Sequence, residues 1–500
     1  MHYNLRNDLE AMRAEAEKAA HECGLDFYNT NFYVLDFEAL TAVIANIGFP
    51  VRYSHWRFGM EYDQFEKKMA HGMQRIYELV INNDPSIAYL LEYNNPVQQK
   101  MVMAHVYGHV DFFKNNVMFK KTDRNMINAA ADHAKLIEKH RNKLGIDRVE
   151  EFIDACLSLE DLIDPCAREN KKPGCSKKCG GKCDGSCSES EGEPKEEEEK
   201  PLIKIDKYME QFLDMSKFRA KKEQDEKPCQ KQARPERDIF RFLMNEGKHL
   251  ADWQKDILSI IRDEAYYFLP QRQTKIMNEG WATFWHDYMM IEKGLAGDQG
   301  IVDYAKTMAG VVSKSAGFNP YRLGYQLYHD IKERWDKGKH GRAYLEEQDS
   351  EKKASWDTHE GNGMKKIFEV RASLDDAEFL REHLTDEFIE KEQFFEYALD
   401  ERDNWYKISG RDPRVIRNYL VNMLTNDPII EVEDANFNNA GHLIMRHIYT
   451  GMDLEPTMRD RTLKQLFHIW QRPVHLRTIV EDNNVIVTYT GSEFSVKKAK

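Results

Sequence analysis

Two histidines four residues apart, His105 and His109 in the stretch MVMAHVYGHVDFFKNN, are the side chains most suited to chemistry in this sequence. Apolar residues around them recur at helical spacing, so both imidazoles leave one face of a helix and can share a metal ion. A second stretch, NEGWATFWH, sets Glu279 and His286 seven residues apart, again on one helical face. Taken alone, Glu279 reads as a cap or bridge and His286 as a core histidine. Together with His105 and His109 they are read as a three- or four-ligand metal site. Two histidines at i and i+4 on a helix that follows a short strand is the order found in HExxH zinc peptidases. Here Val106 occupies the place of the glutamate that would activate water. A general base must then come from elsewhere, and Asp111, Glu264 and Glu61 are the candidates, with His286 as a fourth ligand or a donor to a developing oxyanion.

Three other groups of residues invite chemistry. His55, Arg57 and Glu61 crowd an aromatic stretch, RYSHWRFGMEYDQF, and are read as a pocket wall beside the metal, with His133 as a further pocket residue. Cys175, Cys179, Cys183 and Cys187 are evenly spaced in GCSKKCGGKCDGSC, close enough for a loop to wrap one Zn²⁺. The glycines among them argue against a helix, and zinc sites more commonly pair C-x-x-C units, so a linker with unused thiols weighs about equally. The zinc-site histidines and glutamate fit a second metal as well, because two histidines and one carboxylate form the facial set of non-haem Fe(II).

The elements that position these groups read as an α+β chain. Helices are expected over residues 5–24, Phe32–Ile47, Asp63–Val80, Asn125–Lys143 and Ile239–Asp263, with Pro270 separating two more and another over Asn319–Gly338. SIAYLLE reads as a short strand, and Asn95-Pro96 starts the helix that carries the two histidines. Residues 1–163 and 236–345 are thus expected to form a mostly helical, zincin-like metal-binding domain with a short sheet. Residues 164–235 form a Cys- and Glu-rich insertion, and 346–400 a helical connector. In residues 401–500 a β-α-β-β-α-β-β order with a last hairpin at Asp482-Asn483-Asn484 predicts a smaller ferredoxin-like α+β domain.

Composition narrows the function classes. The chain has 500 residues, room for two or three domains at roughly 150 residues each. A net charge of −13 opposes non-specific binding to nucleic acid or to anionic membranes. No apolar run approaches the roughly 20 residues needed to span a bilayer. The charged, amphipathic first residues lack a signal-peptide pattern, so a cytoplasmic location is expected.

The strings HWRFGMEYD, IYELVINNDPSIAYLLEYN, AHVYGHVDFFKNN, EAYYFLPQRQTKIMNEGWATFWH and NPYRLGYQLYHDIKERW resemble the SpoVR-like family, named for stage V sporulation protein R. The Cys-rich insertion departs from that pattern. The resemblance implies a role in spore cortex formation or, in bacteria without spores, in stress or stationary-phase physiology. It also implies a PrkA-type serine kinase and a von Willebrand factor A-like protein as partners. No settled activity comes with it. The residues themselves suggest a zinc-dependent amidase or peptidase, with a non-catalytic regulatory protein on a zincin-like scaffold as the alternative.

Overall fold

The computed structural model describes residues 7–70, 78–165, 236–313, 318–400, 405–425 and 427–499. Its first elements are α1 (Asn7–Glu22), β1 (Thr30–Leu35), α2 (Phe37–Ala45), α3 (Trp56–Ala70), β2 (Leu79–Ile81) and β3 (Ser86–Leu91). The expected helix over Phe32–Ile47 is therefore a strand and a helix. The Asp36 carboxylate accepts the Ala39 N–H and starts α2, while the aromatic and β-branched run before it pairs in parallel with β3, Thr30 opposite Ser86. Likewise the helix expected to reach Val80 does not extend that far: Leu79–Ile81 is a strand antiparallel to β3. The sheet order is β1-β3-β2.

Helix α4 (Pro96–Asn115) leaves this sheet and forms the centre of the core. Asn95 accepts the Gln98 N–H and Gln98 returns a bond to the Asn95 N–H, a complete capping box, with Pro96 in the first turn. All residues from Met101 to Phe113 are buried, so α4 is enclosed on every side. A short 3₁₀ turn, α5 (Met126–Leu144) and α6 (Ile146–Leu157) follow, then α7 (Ile239–Glu246), α8 (Asp252–Gln273), α9 (Lys275–Ile291), α10 (Gly297–Val311) and α11 (Pro320–Asp336). Pro270 does not divide α8 from α9. It sits inside the last turn of α8, and the break comes at Thr274, whose hydroxyl donates to the Pro270 carbonyl.

α9 is held between α4 and α11 at backbone distance. A Cβ on Gly108 would lie 2.7 Å from Ala282 Cα, and one on Gly324 would lie 2.2 Å from the Ile276 carbonyl oxygen. Only glycine allows those approaches. Trp281, Phe284 and Trp285 fill the space around α9, and all three are fully buried.

Short helices α12 (Gly341–Glu346), α13 (Ser350–Ala354), α14 (Gly363–Ser373), α15 (Asp376–His383) and α16 (Asp386–Glu392) complete the helical part. The C-terminal part holds β4 (Glu396–Asp400), β5 (Trp405–Gly410), α17 (Pro413–Thr425), β6 (Ile430–Phe437), β7 (His442–His447), α18 (Pro456–Trp470), β8 (Val474–Val480), β9 (Asn483–Tyr489) and β10 (Phe494–Lys498). The α+β class holds, but the ferredoxin-like sheet does not form. β5 pairs with β4, a strand that falls within the expected helical connector, and the five-stranded sheet has the order β10-β9-β8-β7-β6. Within this five-stranded sheet only β7 and β8 run parallel, linked by α18. The expected hairpin is present, but its turn is Glu481-Asp482, both at positive φ, while Asn483 and Asn484 belong to β9 and pair with Val480 and Ile479. Residues Met1–Pro165 and Arg237–Lys500 make up one unit. Cys175, Cys179, Cys183 and Cys187 lie outside the described residues. No helix among the described residues is long and apolar enough to cross a membrane.

Candidate metal centre

Gly108 falls between the two histidines on α4 and Ala282 between Glu279 and His286 on α9, so the close helix crossing sits at the candidate site itself. Glu78, His105, His109 and Glu279 converge there, with one ligand atom of each within 4.8 Å of all the others. His105 Nε2 stands 3.1 Å from Glu78 Oε2 and 3.7 Å from Glu279 Oε2, and His109 Nε2 stands 3.4 Å from Glu279 Oε2. Despite these distances, His105 Nε2 and Glu279 Oε2 are buried without a hydrogen-bond partner. Buried polar atoms are seldom left in that state. Two imidazole nitrogens and two carboxylates aimed at one point fit a divalent transition ion, whose bonds of about 2.0–2.2 Å would bring such atoms together.

The other ring nitrogens fix the tautomers. His109 Nδ1–H donates to Asn278 Oδ1 at 2.9 Å, which leaves the Nε2 lone pair for a metal. His105 Nδ1 meets His286 Nδ1 at 2.8 Å. With His105 Nε2 turned to the metal, its Nδ1–H donates to His286, whose own proton is then on Nε2. His286 is therefore behind His105 and outside the group of four, not beside it as a fourth ligand or oxyanion donor.

The charges of these groups depend strongly on one another. Burial alone would lower the His105 imidazole, but the Glu78 and Glu279 carboxylates outweigh it and raise it to about 9. Burial pushes Glu279 up, and the neighbouring His105 and His109 imidazoles reverse this and hold it well below the carboxylate range. His286 is driven well down, by burial first and then by the neighbouring imidazoles. The Tyr321 hydroxyl, from the first turn of α11, faces both Glu78 and Glu279; burial and these two charges push its pKa far up, so it stays a proton donor.

Supports for the site come from distant segments. Thr274 provides no side-chain cap for α9. Asp376 provides it instead, its two oxygens accepting the Ile276 and Met277 N–H groups at 2.8 Å each. Burial raises this carboxyl to about 8, with the two amide donors pulling the other way. At the end of α4, Asn116 donates to the Arg371 and Leu374 carbonyls.

The two main candidates for a base are placed elsewhere. Asp111 is completely buried on another face of α4, accepting from the Asp26 N–H and the Trp281 indole at 2.8 Å and facing Arg371 at 3.4 Å. Its oxygens tie the loop after α1, α9 and α14 to α4, and burial lifts its carboxyl to about 6. Glu264 pairs with Arg52 and lies 3.5 Å from His133 Nδ1. The expected pocket residues join that second network. His55 Nε2 is 3.2 Å from Asp154, and Arg57 bridges Glu61 at 3.4 Å and Glu160 at 3.3 Å. Their charges are satisfied by one another and by α6 and α8, so they are not a wall of the metal site.

Glu78 and Tyr321 were not singled out from sequence. Glu78 immediately precedes β2 in IYELVINND, where a lone glutamate has no spacing signal, and Tyr321 looks like one more aromatic of an amphipathic helix.

Comparison with known proteins agrees with the resemblance seen in the strings. The family model described as SpoVR like protein matches residues 4–429, and that described as SpoVR-like C-terminal domain matches residues 428–481. The chain is 28% identical over 507 residues to the Escherichia coli (strain K12) protein named "Uncharacterized protein YcgB", covering 95% of this chain and 93% of that one. No solved structure matches. With both models together spanning the helical part and most of the C-terminal sheet, the chain belongs to the SpoVR family.

Proposed function

We propose that this SpoVR-family chain is a metal-dependent hydrolase, with zinc as the expected ion and an amide or peptide bond as the target. The observation that carries this reading is Glu78. The zincin-like order of strand and two-histidine helix lacks its usual base at Val106, and a second carboxylate stands 3.1 Å from His105 Nε2. His105, His109 and Glu279 hold the ion. When bound, it supplies a Lewis acid that brings the pKa of water toward about 7. Glu78 takes the proton from the attacking water, and Tyr321 donates a hydrogen bond to the oxygen that gains charge. His286 and Asn278 keep the two ligand histidines in their metal-binding tautomers.

One observation favours a second reading. Four protein groups can fill a tetrahedral ion by themselves, and closed sites of this kind are structural. The chain would then be a regulatory scaffold of sporulation or stress physiology, acting with a PrkA-type kinase and a von Willebrand factor A-like protein. A site of two histidines with one or two carboxylates also suits Fe(II), so metal analysis comes first.

The test compares wild type with His105→Ala/His109→Ala for metal content, and with Glu78→Gln for both metal content and hydrolysis of peptide and peptidoglycan amides. One equivalent less metal in the double variant than in wild type, and a Glu78→Gln loaded like wild type but inactive, is the expected set. Equal metal in wild type and double variant rejects the site. Fully loaded wild type without hydrolysis rejects the enzyme and leaves the scaffold.

A further inference from the structure

A cavity of about 400 Å³ opens between the end of α6 and the C-terminal sheet, far along the chain from any metal ligand. Its floor is apolar, built by Leu162, Ile430, Met445, Leu463, Leu466 and Leu476, side chains from α6's following loop, β6, β7, α18 and β8. The rim is different. Asp161, Asp427, Asp453 and Glu455 line it against one arginine, Arg459, which is itself paired with Asp460 at 2.8 Å. Arg272 reaches Asp161 and Asp427 from outside the cavity. Asp453 accepts the Glu481 N–H, and Glu455 accepts the Thr457 and Met458 N–H groups, neutral donors that leave the carboxylate charges in place. The mouth keeps a net negative charge. Met452 and Met458, 41% and 61% exposed, flank it.

An apolar floor, an acidic rim and flexible methionines at the mouth fit one kind of occupant. We infer that this cavity docks a segment of a partner protein that carries one or two large apolar side chains flanked by lysines or arginines. The apolar side chain fills the floor, where burial supplies affinity, and the flanking cations meet the rim carboxylates, which supply orientation and rate. Unbranched Met452 and Met458 can repack around different anchors. A volume of 400 Å³ suits two or three side chains rather than a folded domain, so the occupant is a short segment. The same rim repels acidic segments.

The test uses the full chain and a short fluorescein-labelled peptide, KLLKKLLKK, with ELLEELLEE as its charge-reversed twin, read by fluorescence anisotropy. The Lys/Leu peptide binds and the Glu/Leu twin does not, and added salt weakens binding. Asp427→Lys on the rim lowers affinity by about tenfold. Thr462→Trp, on the cavity wall, fills the floor and lowers it by a similar factor, about tenfold, because the apolar anchor is excluded. Each variant is first checked for an unchanged thermal midpoint; should Thr462→Trp fail to fold, Met458→Lys at the exposed mouth replaces it. Absence of binding by the Lys/Leu peptide overturns the proposal. So does equal binding by the twin, or binding unchanged by both Asp427→Lys and the cavity variant, which would place the peptide on the general acidic surface.

Discussion

Replacing Gly108 by alanine tests whether the helix crossing sets the metal site. The new Cβ would lie 2.7 Å from Ala282 Cα, whereas carbon atoms pack at about 3.5 Å or more. α4 and α9 must therefore part by about 0.8 Å at the point between the ligands. At present His109 Nε2 and Glu279 Oε2 are 3.4 Å apart. Two donors bonded to one ion at about 2.1 Å are about 3.4 Å apart at a tetrahedral angle and never beyond about 4.2 Å. Opening the crossing takes this pair to the outer limit, where one ligand must let go. Metal affinity should fall by about 100-fold, the upper end for losses caused by residues around a metal. Stability moves less, because overpacking costs about 1–3 kcal/mol and a helical Gly→Ala returns about 1 kcal/mol. Competition with a metal-chelating dye reads the affinity, and urea unfolding reads the stability. A Gly108→Ala protein with metal affinity within about threefold of wild type would refute the reasoning, since the ligands would not depend on the crossing.

Tyr321→Phe should keep full metal content and lose hydrolysis by about 10²-fold or more, as expected for a lost oxyanion donor; loss of metal instead would make Tyr321 a structural partner of the carboxylates. Asp376→Ala leaves the first amides of α9 without acceptors and should cost about 1–3 kcal/mol in denaturant unfolding, with Asp376→Asn recovering part because it can accept one of the two bonds. An unchanged midpoint in the alanine variant would remove Asp376 as the anchor of that helix. His383 is buried against Trp335 and Phe379, and burial, followed by the Arg334 and Lys366 charges, lowers it to about 3. The folded state thus binds fewer protons than the unfolded state, so this residue's contribution is intact above about pH 6.5 and is lost as pH falls toward 3, by up to about 1.4 kcal/mol per pH unit. His383→Leu should flatten that acid limb relative to wild type; parallel stability curves for the two proteins would contradict it.

Three of the four groups at the metal site could be read from spacing, because His105 with His109 on α4 and Glu279 with His286 on α9 repeat at helical intervals within long, apolar helices. What spacing cannot show is which lone residue on another element meets them. Glu78 reaches the site because β2 pairs with β3 and β3 leads into α4, a long-range fact of sheet pairing. Asp111 and Glu264 looked available as bases because buried carboxylates with and without partners are indistinguishable in a sequence. Their partners, Trp281 and Arg371 in one case and Arg52 in the other, come from remote positions. At the C-terminus the order of strands and helices was legible, yet the sheet was not. Local pairing of β4 with β5 removed one expected strand, and β10 added another at the far edge.

The anchoring of α9 by Asp376 has a consequence for biosynthesis. His105 and His109 leave the ribosome long before the residue that fastens the helix bearing Glu279. At roughly 5–20 residues per second, the interval from His109 to Asp376 is some tens of seconds. During that time the nascent chain offers two histidines and Glu78, but not the anchored fourth group. A tightly held ion would thus be acquired only near the end of translation or after release, when the cell's supply of metal at that moment would decide what fills the site.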